Sequence, residues 1–451
     1  MTTALAQHAV PQTRFFTPGV LVVAAIALIG AAVWVYRFAF GLHSATNLSD
    51  AYPWGIWIAI DVACGVALAA GGFTTAFVAH LLHREQYHAL VRPALLTAMI
   101  GYTFVALGVM TDLGRFWAMW HVMLPWMWQP NSVLFEVAIC VMTYLTVLYI
   151  EFLPVVCERF IGKVNLPGAL ARLNRPIDRL LRLLNAGLGR IITVFIILGC
   201  VLSCMHQSSL GTLMVIAADK LNALWQTPLL PLLFLLSAFS VGFPMVIVES
   251  LVASRSFRLP PERTALSMLA RFTPFVLTAY LGVKIGDLIG RGVLWQAFDG
   301  SQASTLFLIE VAFGVIVPIV IFFTPPLRRS MPWLFAAALL VVLGVAFNRI
   351  NVFLLGYTPL EAGATYIPAW TEVAVTAGFI AMIILLYRFV VLNFPVIEHL
   401  EAARARGDVP QRTPQARPAR PGRRTSPASL PSGWPAPAGA PSFTTAQALG
   451  N

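Results

Sequence analysis

The chain is 451 residues long, 58% apolar and only 11% charged, with a mean hydropathy of +0.78. Soluble domains run at about 45–50% apolar and about 25% charged, so a soluble enzyme, a disordered protein and a nucleic-acid reader are excluded. Much of the net charge of +11 sits in a C-terminal stretch and a few short connections, a placement that bears on membrane topology more than on an anionic macromolecule.

A bilayer core of ~30 Å needs roughly 20 apolar residues per helix. That criterion predicts an all-α protein with ten spans, at 18–40, 53–80, 93–114, 132–154, 188–208, 228–252, 265–290, 302–324, 332–349 and 367–394. Pro, Gly, Asn or clustered charge bounds each one. The short-range alternation of a membrane barrel is not visible. Residues 1–17 carry only Arg14, and the first apolar run exceeds the core of a cleaved signal, so a cytoplasmic N-terminus and a retained first span are expected. The ten-span region is expected to cover 18–395, and 396–451, rich in Pro, Ala and Arg, reads as a disordered cytoplasmic tail near anionic headgroups.

Basic residues set the direction. Arg84, Arg92, Arg159, Lys163, Arg172, Arg175, Arg179, Arg182, Arg255, Arg258, Arg263, Arg328 and Arg329 fall on one side of the alternation. The other side holds little beyond Arg115, Lys220, Arg291 and Arg349. This positive-inside bias places both termini in the cytoplasm.

Ionisable groups inside spans are costly and are functional candidates by default. Toward the outer ends lie Asp61, Asp112, Arg115, Glu136 and His206. Lys284, Asp287 and Arg291, spaced i, i+3, i+7, share one helical face. Glu310 falls near mid-depth, Asn348, Arg349 and Asn351 close the ninth span, and Glu372 opens the tenth. Glu151, Arg271 and Arg388 are within reach of an interface and read as snorkelling side chains. Lys284, Asp287 and Glu310 fit either a structural ion-pair network or a proton path. Asp61, Asp112 and Glu136, at similar depth on successive helices, would repel one another unless paired, protonated or hydrated. They predict a wet polar cavity near the outer face, in which Arg115 can pair with one acid.

The next connection crowds Arg115, Phe116, Trp117, Trp120, His121, Trp126, Trp128 and Gln129 into a short stretch. It reads either as an interfacial aromatic belt or as a lipid-facing mouth for a flat amphipathic ring, with His121, Asp112 or Asp61 bonding the ring carbonyls. Quinones have that shape, and their reduction needs protons that His and carboxylates can deliver. Among the eight histidines, only His80 and His206 fall within spans, toward opposite faces, so no axial pair for haem is expected. The five cysteines are scattered without a CxxC spacing, so no metal site or iron–sulfur cluster is expected from this chain.

Four stretches resemble one family. Tyr52-Pro53-Trp54-Gly55-Ile56-Trp57-Ile58, continuing through Asp61 to Gly71-Gly72-Phe73, is similar to the second span of the NrfD/polysulfide-reductase membrane subunits. Thr111-Asp112-Leu113-Gly114-Arg115 resembles that family's Asp-Leu-Gly-Arg signature, and Asn131-Ser132-Val133-Leu134-Phe135-Glu136 its following Asn-Ser…Glu start. Tyr280-Leu281-Gly282-Val283-Lys284-Ile285-Gly286-Asp287-Leu288, with Arg291-Gly292, is similar to the seventh span of the ten-helix branch. That branch includes membrane subunits of nickel–iron hydrogenases.

The resemblance implies a haem-free, quinone-reactive subunit of a bacterial inner-membrane complex. Two four-helix bundles, over 53–210 and 228–351, would carry flanking helices. A ferredoxin-like four-cluster iron–sulfur subunit would dock on the periplasmic face and relay electrons from a catalytic module, nickel–iron hydrogenase being one candidate. A menaquinone or ubiquinone site in the first bundle would use Asp61, Asp112, Arg115, His121 and Glu136, with Trp117 and Trp128 from the aromatic stretch. Asp112, Glu136 and His121 would handle its protons. Apart from the resemblance, the residues leave the proton source open: if Glu136, Glu249, Lys284, Asp287 and Glu310 form an inward hydrated path, charge moves across the membrane, and if the protons come from the outer face the reaction is electroneutral. Two other readings compete: a secondary transporter, and a passive membrane anchor whose acids only pair.

Overall fold

The computed structural model describes residues 14–397, apart from 218, 219, 360 and 362. The expectations for residues 1–13 and for the tail from 398 onward lie outside the described residues. Among the described residues, ten helices are long and apolar enough to cross a membrane: α1 (Pro18–Phe40), α2 (Trp57–His80), α3 (His88–Asp112), α4 (Val133–Phe160), α5 (Leu170–Val215), α6 (Leu230–Phe257), α7 (Arg263–Gly290), α8 (Gln302–Phe323), α9 (Met331–Leu355) and α10 (Trp370–Asn393). Among the described residues the only β pairing is an isolated bridge between Leu221 and Tyr357. The chain is an all-α, multi-pass integral membrane protein.

Local chemistry sets the helix starts. Thr17, Ser132 and Ser301 each accept a backbone N–H of the first turn of α1, α4 and α8, satisfying donors that a helix start leaves free. Most expected spans shift by a few residues, but α5 differs in kind. Its expected core of 188–208 lies within a helical segment of 46 residues, about 69 Å at 1.5 Å per residue and more than twice a bilayer core. The excess carries Arg172, Arg175, Arg179, Arg182 and Arg190, all exposed. An apolar-run criterion cannot see a helix that continues into water.

Four helices, α2 to α5, pack on one another, as do α6 to α9. The two sets meet where α2 lies against α6 and α9, and where α5 lies against α6. Helices α1 and α10 pair and sit against α3, with α10 also on α2. Small residues permit two of these approaches: a methyl group on Gly30 or Gly378 would overlap the other glycine's Cα across α1 and α10, and Gly314 and Gly344 meet in the same way across α8 and α9. The most buried span is α2. It is also irregular, wound as π-helix over Trp57–Cys64 and Phe77–Leu81 around two short α segments. Further π turns interrupt α8 at Ala312–Ile316 and α9 at Asn351–Leu355. Such turns recur at functional sites.

Candidate functional site

At the tryptophan-rich end, two of the expected acids sit beside the α1/α10 pair. Asp61 of α2 accepts a hydrogen bond from Thr376 Oγ1 of α10 at 2.8 Å, and its Cβ lies against Gly108 of α3. Asp112 ends α3, and its Oδ1 is buried without a hydrogen-bond partner.

The cation beside Asp112 is Arg37, not Arg115. Arg37 is 1% exposed and donates to Thr111 O and Leu113 O, each at 2.6 Å. It thereby satisfies carbonyls that the end of α3 leaves free. Its guanidinium lies 5.0 and 5.6 Å from the ring centroids of Phe38 and Phe116. The expectation that Arg115 pairs with one of the acids does not hold: its side chain is exposed.

A third acid, Glu372, is fully buried. Its Oε2 accepts from Ala369 N at 2.7 Å and Asn47 N at 3.2 Å, and its Oε1 from Tyr366 Oη at 2.6 Å. Asp112 is within electrostatic reach of both Arg37 and Glu372. Tyr366, in the connection before α10, has its hydroxyl pKa pushed up by burial and by its bond to Glu372.

The other expected residues lie further out. Glu136 is exposed and accepts from Ser209 across the α4/α5 seam. His121 packs its ring against Trp120, centroids 4.4 Å apart. Trp128 donates to Val122 O at 2.9 Å and packs on Phe135. Trp117 and Trp126 are 63% and 76% exposed. The aromatic stretch therefore turns its indoles outward and does not wall a closed chamber.

Inside the α2–α5 set is a polar core for which sequence reasoning supplied only an isolated His206. Tyr102, Tyr144, Ser203, His206 and Gln207 are all buried. His206 Nε2 bonds with Tyr102 Oη, its ring packs with those of Tyr102 and Tyr144 in a mutual three-ring cluster, and Gln207 Nε2 donates to Val66 O at 2.8 Å. Tyr144 Oη, Ser203 Oγ, His206 Nδ1 and Gln207 Oε1 have no hydrogen-bond partner. Unmet buried polar groups mark room for water or a ligand.

A second charged cluster fills the α6–α9 set. Glu310 accepts from Lys284 Nζ and from Asn348 Nδ2 at 2.8 Å on Oε1. On Oε2 it accepts from Asn351 Nδ2 at 2.8 Å and Trp225 Nε1 at 2.9 Å. Lys284 also donates to Tyr280 Oη at 3.2 Å. Asp287, on the same face, is held by Thr227 Oγ1 at 2.7 Å and by Arg291. Lys284 and Asp287 border one water-sized cavity, and Glu310 borders a second with Ser237 and Ser240. Of the expected proton path, Lys284, Asp287 and Glu310 thus gather in one place, whereas Glu136 lies on the α4/α5 seam. Glu249 lines a separate cavity at the arginine-rich end, between α3, α6 and α10 and large enough for a few waters. Both of its carboxyl oxygens are buried, facing the hydroxyls of Thr97 and Tyr387.

Fold and site define a multi-pass helical membrane protein with acids and cations buried at two places between its helices. The family model for the polysulphide reductase NrfD matches residues 44–361, and the chain belongs to that family. It is 36% identical over 386 residues, 85% of this chain and 92% of the other, to the "Probable Ni/Fe-hydrogenase 2 b-type cytochrome subunit" of Escherichia coli strain K12. It is 25% identical to the "Menaquinone reductase, integral membrane subunit" of Nitratidesulfovibrio vulgaris, over 76% of this chain and 85% of that one.

The first of those names raises the question of a haem. Axial histidines must flank a macrocycle from facing helices. Here His80 and His88 touch edge to face, with centroids 4.8 Å apart, leaving no room for one between them, and His206 Nε2 is engaged by Tyr102. Neither the His80–His88 pair nor His206, as placed, fits the axial position of a bis-histidine haem.

Proposed function

We propose that this chain is the quinone-reactive membrane subunit of a respiratory oxidoreductase complex in a bacterial cytoplasmic membrane, with both termini in the cytoplasm. Membership of the NrfD family and the names of its relatives support a membrane subunit of an oxidoreductase complex. In the fuller reading, electrons arrive from a ferredoxin-like four-cluster iron–sulfur subunit on the periplasmic face, served by a catalytic module such as a nickel–iron hydrogenase. A menaquinone or ubiquinone, when bound, supplies the two-electron, two-proton chemistry of its ring oxygens.

The observation that carries the quinone reading is Asp112: a carboxyl oxygen buried, unbonded and held beside a cation at the end of α3. Such a group can give or take a proton at a substrate oxygen. The residues of 53–210 would form the quinone-bearing half. From outside it, Arg37 of α1 fixes the turn that bears Asp112, Thr376 of α10 orients Asp61, and Tyr366 is clamped by Glu372 alongside them. Arg115, Trp117, His121 and Trp128 would form the rim facing lipid and partner, with Glu136 and Ser209 on the adjoining seam. The residues of 228–351, with Glu249, Lys284, Asp287 and Glu310, would conduct protons from the cytoplasmic side. Each charge so moved is worth about 2.3 kcal/mol per 100 mV.

The test is quinone-linked activity of the native complex, purified through this chain and reconstituted in proteoliposomes. Asp112→Asn and Glu136→Gln should each lower quinone reduction about 10²–10⁴-fold, the range expected for loss of a general acid, with the complex assembled. Full activity in both variants would reduce the acids to structural groups and leave a passive anchor. Solute uptake without any co-purifying iron–sulfur partner would establish a transporter instead.

A further inference from the structure

The part of α5 that runs past the bilayer core has three sides. One packs along α4. A second carries Arg175, Arg179, Arg182 and Arg190, all exposed and spaced to share one side of the helix. The third is apolar: Leu173, Leu180, Leu184 and Ile191, at steps of seven, four and seven, are 37% to 55% exposed. That stripe does not stop at the arginines. It continues through Val194, Leu198, Val201 and Met205, all exposed, at steps of three and four, as the face that the span turns to lipid. From Leu173 to Met205 it measures about 48 Å at 1.5 Å per residue, against a bilayer core of ~30 Å. Beyond Met205 the same face turns polar at Ser208 and Thr212, so the surplus apolar length lies at the arginine end. A tilt of about 20°, usual for such helices, brings the stripe to about 45 Å, the thickness of a bilayer with its headgroup layers.

Charge selects the kind of lipid. Asp178 is the only acid between Phe160 and Val215, and it is committed: its Oδ1 accepts from Gly162 N at 2.5 Å and its Oδ2 from Arg182 Nε at 2.8 Å. Among the described residues, Arg175, Arg179 and Arg190 have no acid partner. Guanidinium forks at headgroup depth match the oxygens of a phosphodiester, and the neighbouring leucines match its acyl chains. A second copy of this chain would set arginine against arginine. Residues 398–451 carry more basic than acidic side chains, so they do not complement this face either.

We propose that the extension of α5 is a binding surface for anionic phospholipid of the adjoining leaflet. Arg175, Arg179 and Arg190 hold the phosphates, and Leu180, Leu184 and Ile191 take the first methylenes of the chains. Anionic headgroups draw juxtamembrane arginines to the surface, and the apolar stripe beside them fixes which side of the helix the lipid covers. The inference does not depend on the quinone reading.

The test puts photoreactive benzoylphenylalanine in place of Leu180, irradiates the native complex in its own membrane and identifies the adducts by mass. Phospholipid adducts are expected, with the ratio of anionic to zwitterionic lipid above that of the bulk membrane by at least about fivefold, the effect of one arginine beside an anionic surface. The same probe in place of Val201, on the same stripe but away from the arginines, should give adducts at the bulk ratio. Arg175→Gln, Arg179→Gln and Arg190→Gln together should return the Leu180 probe to the bulk ratio. Arg182 is left in place because it holds Asp178. Arg179→Gln alone should lower the enrichment, which keeps the test decisive if the triple variant does not assemble. Protein adducts in place of lipid at Leu180, the absence of any lipid adduct there, equal enrichment at Val201, or enrichment undiminished in the arginine variants would each overturn the proposal.

Discussion

The two buried clusters treat their acids in opposite ways. Glu310 has both oxygens saturated by four donors, among them a buried ammonium, while Asp112 keeps one buried oxygen without a bond. A saturated carboxylate is a fixed charge, because protonating it would set a new O–H against groups that can only donate. An unsaturated one is free to exchange a proton. The same chemical group is thus fixed by four donors at Glu310 and left with an unbonded oxygen at Asp112, and the difference lies in its partners.

That contrast can be broken from either side. The largest effect is expected from Glu310→Leu, which strands Lys284 as an unpaired buried cation and should cost about 3–5 kcal/mol, read as a fall in the thermal unfolding midpoint of the purified complex. Arg37→Gln comes next. It removes two charged hydrogen bonds from the end of α3 and should cost about 2–3 kcal/mol, with quinone reduction falling in step as the Asp112 turn loosens. Gly378→Val should separate α1 from α10 for about 1–3 kcal/mol and lower activity through the Thr376–Asp61 contact. Smallest is Trp126→Ser, at an outward-facing indole, expected to change stability by less than about 0.5 kcal/mol. A larger destabilisation there would mean that the aromatic stretch packs on the helices after all.

Ten spans were legible because a bilayer demands long apolar runs and the sequence supplies them. The shared face of Lys284, Asp287 and Arg291 was legible from spacing alone. Partners across the fold were not. Arg37 sits at the end of an apolar run, where a snorkelling arginine is ordinary, and its ligands are carbonyls 74 and 76 residues away. Tyr102 and His206, 104 residues apart, carry no periodic signal linking them. Arg115 was expected to pair with one of the acids, yet the chain turns after α3 and leaves its side chain exposed. Glu372 announced itself only as an acid opening a helix, and its role as the clamp on Tyr366 depends on the connection folding back over it.

The π winding of Trp57–Cys64 has a consequence for how this gene can vary. A widened turn holds more residues than the 3.6 of an α-turn, so Asp61 faces Thr376 only while that surplus is retained. Deleting one residue there would let the segment relax toward ordinary α-helix with the residues on either side kept near their present faces, so the change would fall on Asp61 and its neighbours within the stretch. Lineages of this chain should therefore preserve the residue count of that stretch wherever Asp61 meets Thr376.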